Sequence, residues 1–523
     1  MNGRARTAKA IPIGLLLLSL GVPGAFAADT PPAAGAGAKA ACPVQQVEPA
    51  EASLGPATAP KMSPEAKLLP DTPTAPDAFA CDPSYRPYDA KAELAIYQGK
   101  HLNETANPPV VLGLRLYDRG AYAPRPTLLG QKDPVQFHFM AYGDLRTAVA
   151  DNDNGKPAAN GKTYQSQVAT RLNLDLDLNL TPTERIHAFM RPFDKTTAFT
   201  RFDLDGAVRD KFVPELNTKL VTLFFEGDLG NMLAGLTGKL RSFDIPIAGG
   251  LVPIFTQNGI WIQDAFKGAA IGITAKHSKD LDISNMDLTF FTGLDNVTSD
   301  AFGVGHGAGK IYGLAGFADL LKGYMEAGYG YVEADDKDLS YNNVTLAFTT
   351  RFEGNVSNSV RLIGNFGQKA AVKTANGLLV LVESSLVSPD PWVLVPYLNL
   401  FAGFDTPQSL ARAADAGGVL GNTGINFQTD GLTGFPTLDF HGHDTYGGAG
   451  GVEYLFNLNR SVIFEGAAVE PMRSNPLGAE YAFGASFQQP LNNAWILRFD
   501  GMRGWLEKQR DIFGVRMELR RKF

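Results

Sequence analysis

Between residues 168 and 180 hydrophobic and polar positions alternate without a slip. Val168, Thr170, Leu172, Leu174, Leu176, Leu178 and Leu180 share one parity, and Arg171, Asn173, Asp175, Asp177 and Asn179 the other. A period of two held over this length belongs to an extended strand, because a helix would scatter those leucines round its circumference. At about 3.3 Å per residue and a tilt of about 45°, the strand covers close to ~30 Å, enough to cross the apolar band of a bilayer. A soluble sheet with one wet face alternates in the same way, so this stretch alone leaves two readings.

The rest of the chain separates them. Phe137, Phe139, Ala141, Leu145, Thr147 and Val149 oppose His138, Tyr142, Asp144 and Arg146, and Val344, Leu346, Phe348, Thr350 and Phe352 oppose Thr345, Thr349 and Arg351. Further on, Tyr481, Phe483, Ala485 and Phe487 oppose Gly484, Ser486 and Gln488. Tight turns such as Thr181-Pro182-Thr183, Leu321-Lys322, Asn459-Arg460 and Leu491-Asn492-Asn493 largely alternate with longer polar links at 192–219, 294–308, 333–342, 367–376, 405–444, 470–479 and 505–510. A transmembrane barrel sorts its connections this way, with short periplasmic turns on one rim and long extracellular loops on the other. A soluble sandwich has no reason to. The pattern therefore predicts an all-β chain whose residues 135–523 form a closed antiparallel transmembrane β-barrel. Loop parity gives about 18 strands within a range of about 16 to 20. Residues 89–134 are a lead-in, in which 91–97 and 109–118 form either a first strand pair or a plug. The 405–444 link, the longest, is expected to be the main external feature.

Two segments precede the barrel. Arg4, Arg6 and Lys9, the apolar run 11–20 and Ala25-Phe26-Ala27 have the order of a secretory signal peptide, which assigns 1–27 to export. Residues 28–88 are dense in Ala and Pro and poor in β-branched and aromatic residues. Such a composition cannot offset the entropy of ordering it, which predicts a disordered periplasmic tether. Both cysteines, Cys42 and Cys81, lie there, and in an oxidising compartment their default is one disulfide.

The last strand carries a resemblance. Phe513, Val515, Met517, Leu519 and the terminal Phe523 share one face, opposite Arg516, Glu518, Arg520 and Lys522. An apolar alternation ending in Phe resembles the signal read by the outer-membrane assembly machinery in bacterial porins. Arg521 departs from it, a charge in an outward slot that snorkelling at the interface would accommodate. The resemblance implies an outer-membrane barrel facing lipid, of the porin-like superfamily, and no closer family.

Composition narrows the picture only a little. With 44% apolar residues and a mean hydropathy of -0.09 the chain is too polar for a helical membrane protein, as a barrel is when one face of each strand meets lipid. A net charge of -7 argues against a nucleic-acid partner, which wants a basic footprint. A barrel this wide encloses a lumen. Asp144, Arg146, Arg171, Asp175, Asp177, Asp264, Arg351, Arg361, Arg498, Asp500, Arg516 and Glu518 are the candidate pore-lining residues. They carry both signs and so form either a transverse field that orders solutes or a mutually neutral wall. Asp177→Asn is expected to leave stability almost unchanged. The segment 243–266, apolar yet punctuated by Gly and Pro, reads either as an inward constriction loop or as two strands with bends. His441 and His443 between Asp439 and Asp444 are a weak metal pattern, better read as a polar loop. No linear motif of an enzyme is present, and no metal or cofactor is expected.

Function therefore reads first as a porin-like channel for small hydrophilic solutes or ions. The alternatives are a non-conducting scaffold around a partner and an export conduit for a polysaccharide or protein. A homotrimer and a periplasmic partner both stay open.

Overall fold

The computed structural model describes residues 109–112, 126–127, 130–131 and 138–523, apart from 158–160, 182, 196–197, 208, 240, 304–308, 353, 387–392, 430–431, 458 and 474–477. The signal segment, the tether with Cys42 and Cys81, and the stretch 91–97 lie outside the described residues.

Alternating sequence becomes wall wherever it was read as strand. In chain order the wall strands are β1 (His138–Asp153), β2 (Tyr164–Asn179), β3 in two pieces (Arg185–Met190 and Ala198–Asp205) and β4 in two pieces (Lys211–Val213 and Leu220–Asp228). Then follow β5 (Pro246–Thr256), β6 (Ile262–Ser278), β7 (Ile283–Val297), β8 (Gly309–Leu320), β9 (Gly323–Glu333), β10 (Tyr341–Phe352) and β11 (Val356–Phe366). The remainder are β12 (Asn376–Leu386), β13 (Leu394–Thr406), β14 (Thr445–Asn457), β15 (Arg460–Pro471), β16 (Glu480–Pro490), β17 (Trp495–Leu506) and β18 (Ile512–Lys522). Each pairs antiparallel with the next, and β18 pairs with β1 from Phe513↔Asp153 to Lys522↔Asp144, closing an 18-strand barrel. The terminal Phe523 completes the seam by exchanging backbone hydrogen bonds with Gly143. Closure removes the sheet edges that lipid could not solvate. Val110–Leu112 pairs with β1 at Phe139–Ala141, just past the end of β18, and adds no strand to the wall.

The two faces meet different surroundings. Leu223, Phe290, Leu346, Leu400, Phe464 and Met517 stand exposed on the outside, whereas their inward neighbours are buried. So much bare apolar surface is not stable in water and is matched to lipid. The protein is a transmembrane β-barrel. Arg521 keeps its charge at the turn rim, with its guanidinium 5.6 Å from the Trp495 ring centre.

One open connection is settled and three differ from the sequence reading. The 243–266 segment is the two-strand alternative: β5 and β6, joined by a tight turn at 257–261. The 192–219 link is partly wall, since Ala198–Asp205 pairs with β2 and Lys211–Val213 with Ala198–Asp205. Between β4 and β5 the turn rim carries a helix, α1 (Leu229–Thr237), whose start is capped by Asp228 and whose end is a left-handed Gly238. The largest difference is the 407–444 connection. It folds into the lumen.

Candidate functional site

The inward course of 407–444 follows from where its apolar residues find cover. Leu410, Leu420 and Phe427 are fully buried among inward side chains of the wall, including Ile363, Leu379 and Leu381. Its short strand Ala411–Arg412 adds in parallel to β6 at Ile262–Gln263. Wall glycines make the sockets. A Cβ on Gly330 would lie 2.5 Å from Leu410, one on Gly484 2.6 Å from Asn426, and one on Gly514 2.6 Å from Pro436. These sockets lie on β9, β16 and β18, so the loop reaches across the barrel. At its far side the Thr433 carbonyl accepts from the amides of Asn152 and Gln167 on β1 and β2.

Two buried charges fasten the loop. Arg412 donates to the carbonyls of Gly259, Ala416 and Gly417. Glu465, 1% exposed on β15, accepts from the backbone N–H of Ile425 (2.9 Å) and Asn426 (2.8 Å), from Asn426 Nδ2 (2.9 Å) and from the Tyr397 hydroxyl (2.6 Å). Neither was singled out from sequence. Arg412 lies in a link read as external. Glu465 was legible only as a lone acid on the inward parity of its strand.

Between loop and wall lies a cavity of about 180 Å³. Arg146, Arg171, Arg498, Arg516 and Arg520 form one side, and the loop supplies Asp415, Asn426 and Thr429. The sequence-predicted Arg146, Arg171, Arg498, Asp500, Arg516 and Glu518 are thus brought together. Arg146 pairs with Glu518 (2.6 Å), Arg516 with Asp500 (2.7 Å), Arg498 with Asp500 (2.8 Å) and Arg171 with Asp194 (2.9 Å). The signs are not equally placed. The side chains of Glu518 and Asp500 are 1% and 7% exposed, whereas Arg498 and Arg520 keep 25% and 29%. For these two pairs the acid stands behind and the arginine faces water, whereas Arg516 is buried at 3% and the loop's Asp415 keeps 30%, so a solute meets Arg498 and Arg520 on the wall and one exposed acid on the loop. Asp415 and Arg191, also paired, cross from loop to wall.

The other predicted residues lie apart. Asp175 and Asp177 point inward nearer the turn rim, where Asp177 accepts from the Tyr142 hydroxyl and faces His187 Nδ1 at 2.8 Å. Asp144 accepts from Asn173 Nδ2. Asp264 is buried under the loop, taking the backbone N–H groups of Ala265 and Thr298. Arg361 is buried too, donating to the Gln257 carbonyl and pairing with Glu383. Arg351 stands exposed at the turn-rim end of β10.

Asp439 and His441 (2.7 Å) sit where the loop returns to β14. Burial opposes charge on the imidazole, but the bond and charge of Asp439 outweigh it and raise the His441 pKa above the usual range. Burial likewise pushes Asp439 up, and His441 more than reverses it, holding the carboxyl below its usual range. The histidine's contribution to holding the loop is full below the ordinary imidazole pKa and is lost as pH rises through the raised value. The carboxylate's is present above the ordinary carboxyl pKa and is lost as pH falls through the lowered one. Single-channel current is therefore expected to be quieter at mildly acidic than at alkaline pH, and Asp439→Asn to flatten that dependence. Noise that is independent of pH in the unaltered protein would rule the pair out as a loop fastener.

Barrel and lumen together define a transmembrane β-barrel with a loop-constricted interior. No protein-family model matches the chain, and no curated protein matches it. Among solved structures it is similar to OccK5 (OpdH) of Pseudomonas aeruginosa, at 12% identity over 74% of this chain and 98% of that one, with a TM-score of 0.47. It is also similar to a BenF-like porin from Pseudomonas fluorescens Pf-5, at 10% identity over 74% and 98% with a TM-score of 0.49. The third likeness is to OccAB4 of Acinetobacter baumannii, at 10% identity over 74% and 98% with a TM-score of 0.46.

Proposed function

We propose that this protein is a porin-like channel of the outer membrane that passes small hydrophilic solutes and favours anions. The observation that carries the reading is the asymmetry on the wall side of the constriction, where Arg498 and Arg520 face the water and their acidic partners Asp500 and Glu518 are withdrawn behind them. The two arginines outnumber the one exposed acid, Asp415, on the loop. An anion entering the eyelet exchanges hydration for a row of guanidinium donors, and a carboxylate or phosphate matches their fork geometry. A cation meets the same surface as a barrier. Conduction stays fast because the arginines are already paired, so none binds a passing anion to the full strength of a lone charge. In this reading the tether hangs in the periplasm, and Phe523 serves the assembly machinery.

A conduit for an exported chain would need an open bore, and 407–444 occupies it. The scaffold and export readings are not favoured.

The test is the reversal potential of the purified barrel under a potassium chloride gradient. Anion selectivity is expected for the unaltered protein. Arg498→Ser combined with Arg520→Ser should move the potential toward cation selectivity, while Lys at both positions should keep most of the anion preference. A barrel that folds but passes no current would end the channel reading. Unchanged selectivity in the double Ser variant would end the anion assignment alone.

A further inference from the structure

The seam between β4 and β5 stops short of the ends of its strands. Pairing runs from Asp228↔Pro246 only to Leu223↔Leu251, although β5 continues to Thr256 and the second piece of β4 begins at Leu220. Above Leu251, among the described residues, β5 is paired with β6 alone. On the neighbouring seam, β5 and β6 stay paired without a break from Ile247↔Ile271 to Thr256↔Ile262.

Both strands are shaped to part here. At Gly250, paired with Phe224, the backbone takes φ +128, and a Cβ there would lie 2.4 Å from the Leu223 carbonyl. An L side chain is strained at that φ, so only glycine allows the kink at no cost. Pro253 follows and lacks an N–H to offer a ladder. On β4 the register with β3 shifts between Leu220 and Thr222, a bulge that turns Leu220 outward. The chain between the two pieces of β4 leans the other way, with the Asn217 N–H donating to the Pro192 carbonyl and the Glu215 N–H to the Thr200 hydroxyl.

A hollow lies on each side of the parted strands. The outer one, about 690 Å³, is apolar and is bordered by Leu220, Leu223, Leu251 and Leu294. The inner one, about 350 Å³, is bordered by Thr222, Phe224 and Pro253 at the seam and by Tyr142, Asp175 and His187 beyond. Leu251 borders the outer hollow and Pro253, two residues along the same edge, the inner one. The hollows are therefore back to back across this edge. The seam opens beside the outward Lys267–Asp295 ion pair, toward the loop rim, where the apolar band gives way to charge. Inside, Asp175 is nearer the turn rim on β2 than Arg171 of the eyelet, so the inner hollow lies past the constriction.

We propose that the β4–β5 seam is a lateral portal, through which a single-tailed amphiphile with an uncharged polar end moves between the bilayer border and the lumen below the eyelet. The tail class follows from the leucine-lined outer groove. The head class follows from the inner hollow, where Asp175 and Arg185 present opposite signs, together with Tyr142 and His187. A hydroxylated head finds both donors and acceptors, whereas a fully charged head meets its own sign in the same pocket. Unpaired strand backbone is costly against hydrocarbon, and a hydrogen-bonding head or lumenal water at the seam removes that cost. An apolar tail that a narrow arginine-lined eyelet would reject thereby has a route that bypasses it. The portal goes beyond the anion channel and does not depend on it.

The test uses a diazirine-bearing octanol with the full-length barrel in phospholipid vesicles, and maps the photolabelled residues by mass spectrometry. Labels are expected to concentrate on Leu220, Leu223 and Leu251 outside and on Thr222 and Phe224 inside. In a Cys42→Ser, Cys81→Ser background, Thr222→Cys with Val252→Cys staples the next register pair above Leu223↔Leu251. Oxidation should abolish the inner labels and reduction restore them, with chloride conductance unchanged in both states. Leu223→Trp, which fills the outer groove without touching the seam backbone, should lower the inner labels without any staple. Labelling spread evenly round the lipid-facing belt, or inner labels that survive both the staple and the Trp variant, would overturn the proposal.

Discussion

Glu465→Ala is expected to raise single-channel conductance several-fold while leaving the barrel closed. The carboxylate is buried and takes four donors, three of them from Ile425 and Asn426 of the inward loop. Removing it leaves those donors without their acceptor where water is scarce, at about 1–3 kcal/mol for each one that finds no other partner. The wall strands lose no ladder bond, because Glu465 lies on β15 with its backbone paired to β14 and β16. The penalty therefore falls on the loop, which should leave the lumen before the barrel unfolds. Glu465→Gln, which keeps one accepting oxygen, should give an intermediate conductance. Heat-modifiable gel mobility checks that the barrel has survived. A folded Glu465→Ala barrel with unaltered conductance would show that Glu465 does not hold the constriction.

Leu176→Arg should cost about 2–4 kcal/mol of stability in urea unfolding from lipid vesicles, as a charge on the lipid face of a strand does. Its neighbour Asp177→Asn should also destabilise, by about 1–3 kcal/mol. Sequence parity put Asp177 on the wet side and led to the expectation of almost no effect. In the fold Asp177 is 3% exposed, with the Tyr142 hydroxyl donating to it and His187 Nδ1 beside it. Asparagine keeps one acceptor and turns an amide toward the other partner, so part of that network is lost. The two variants destabilise for different reasons, and the difference is measurable. Asp177→Asn should be rescued when Tyr142→Phe removes the donor, whereas Leu176→Arg should not respond. A neutral Leu176→Arg would mean that this face does not meet lipid, and the inside–outside assignment would fail with it.

Much of the barrel was legible because its physics is local. The alternation in β2 fixes which face is which, since a slip of one residue would turn Arg171 and Asp177 to lipid and the leucines to water. Loop parity fixed the strand number, because both ends of the wall lie on one rim. Where local pattern was broken, reading failed. The outer pieces of β3 and β4, Ala198–Asp205 and Lys211–Val213, were taken for a link, because 191–197 and 214–219 separate them from the rest of their strands. Helix α1 was missed on a rim where only turns were sought.

By itself the sequence determined the fold class and which charges share a strand face, because side-chain parity in a strand has only two outcomes. Only the tertiary structure decided what those charges do. Whether an inward arginine faces water or a carboxylate depends on residues far away in the chain, as Arg146 depends on Glu518 and Arg171 on Asp194. The course of 407–444 was decided in the same way. Its composition is that of a surface loop, and it enters the lumen because Gly330, Gly484 and Gly514 leave sockets on three distant strands and Glu465 waits with an unfilled carboxylate. No window of sequence contains that complementarity, since it exists only once the wall has closed.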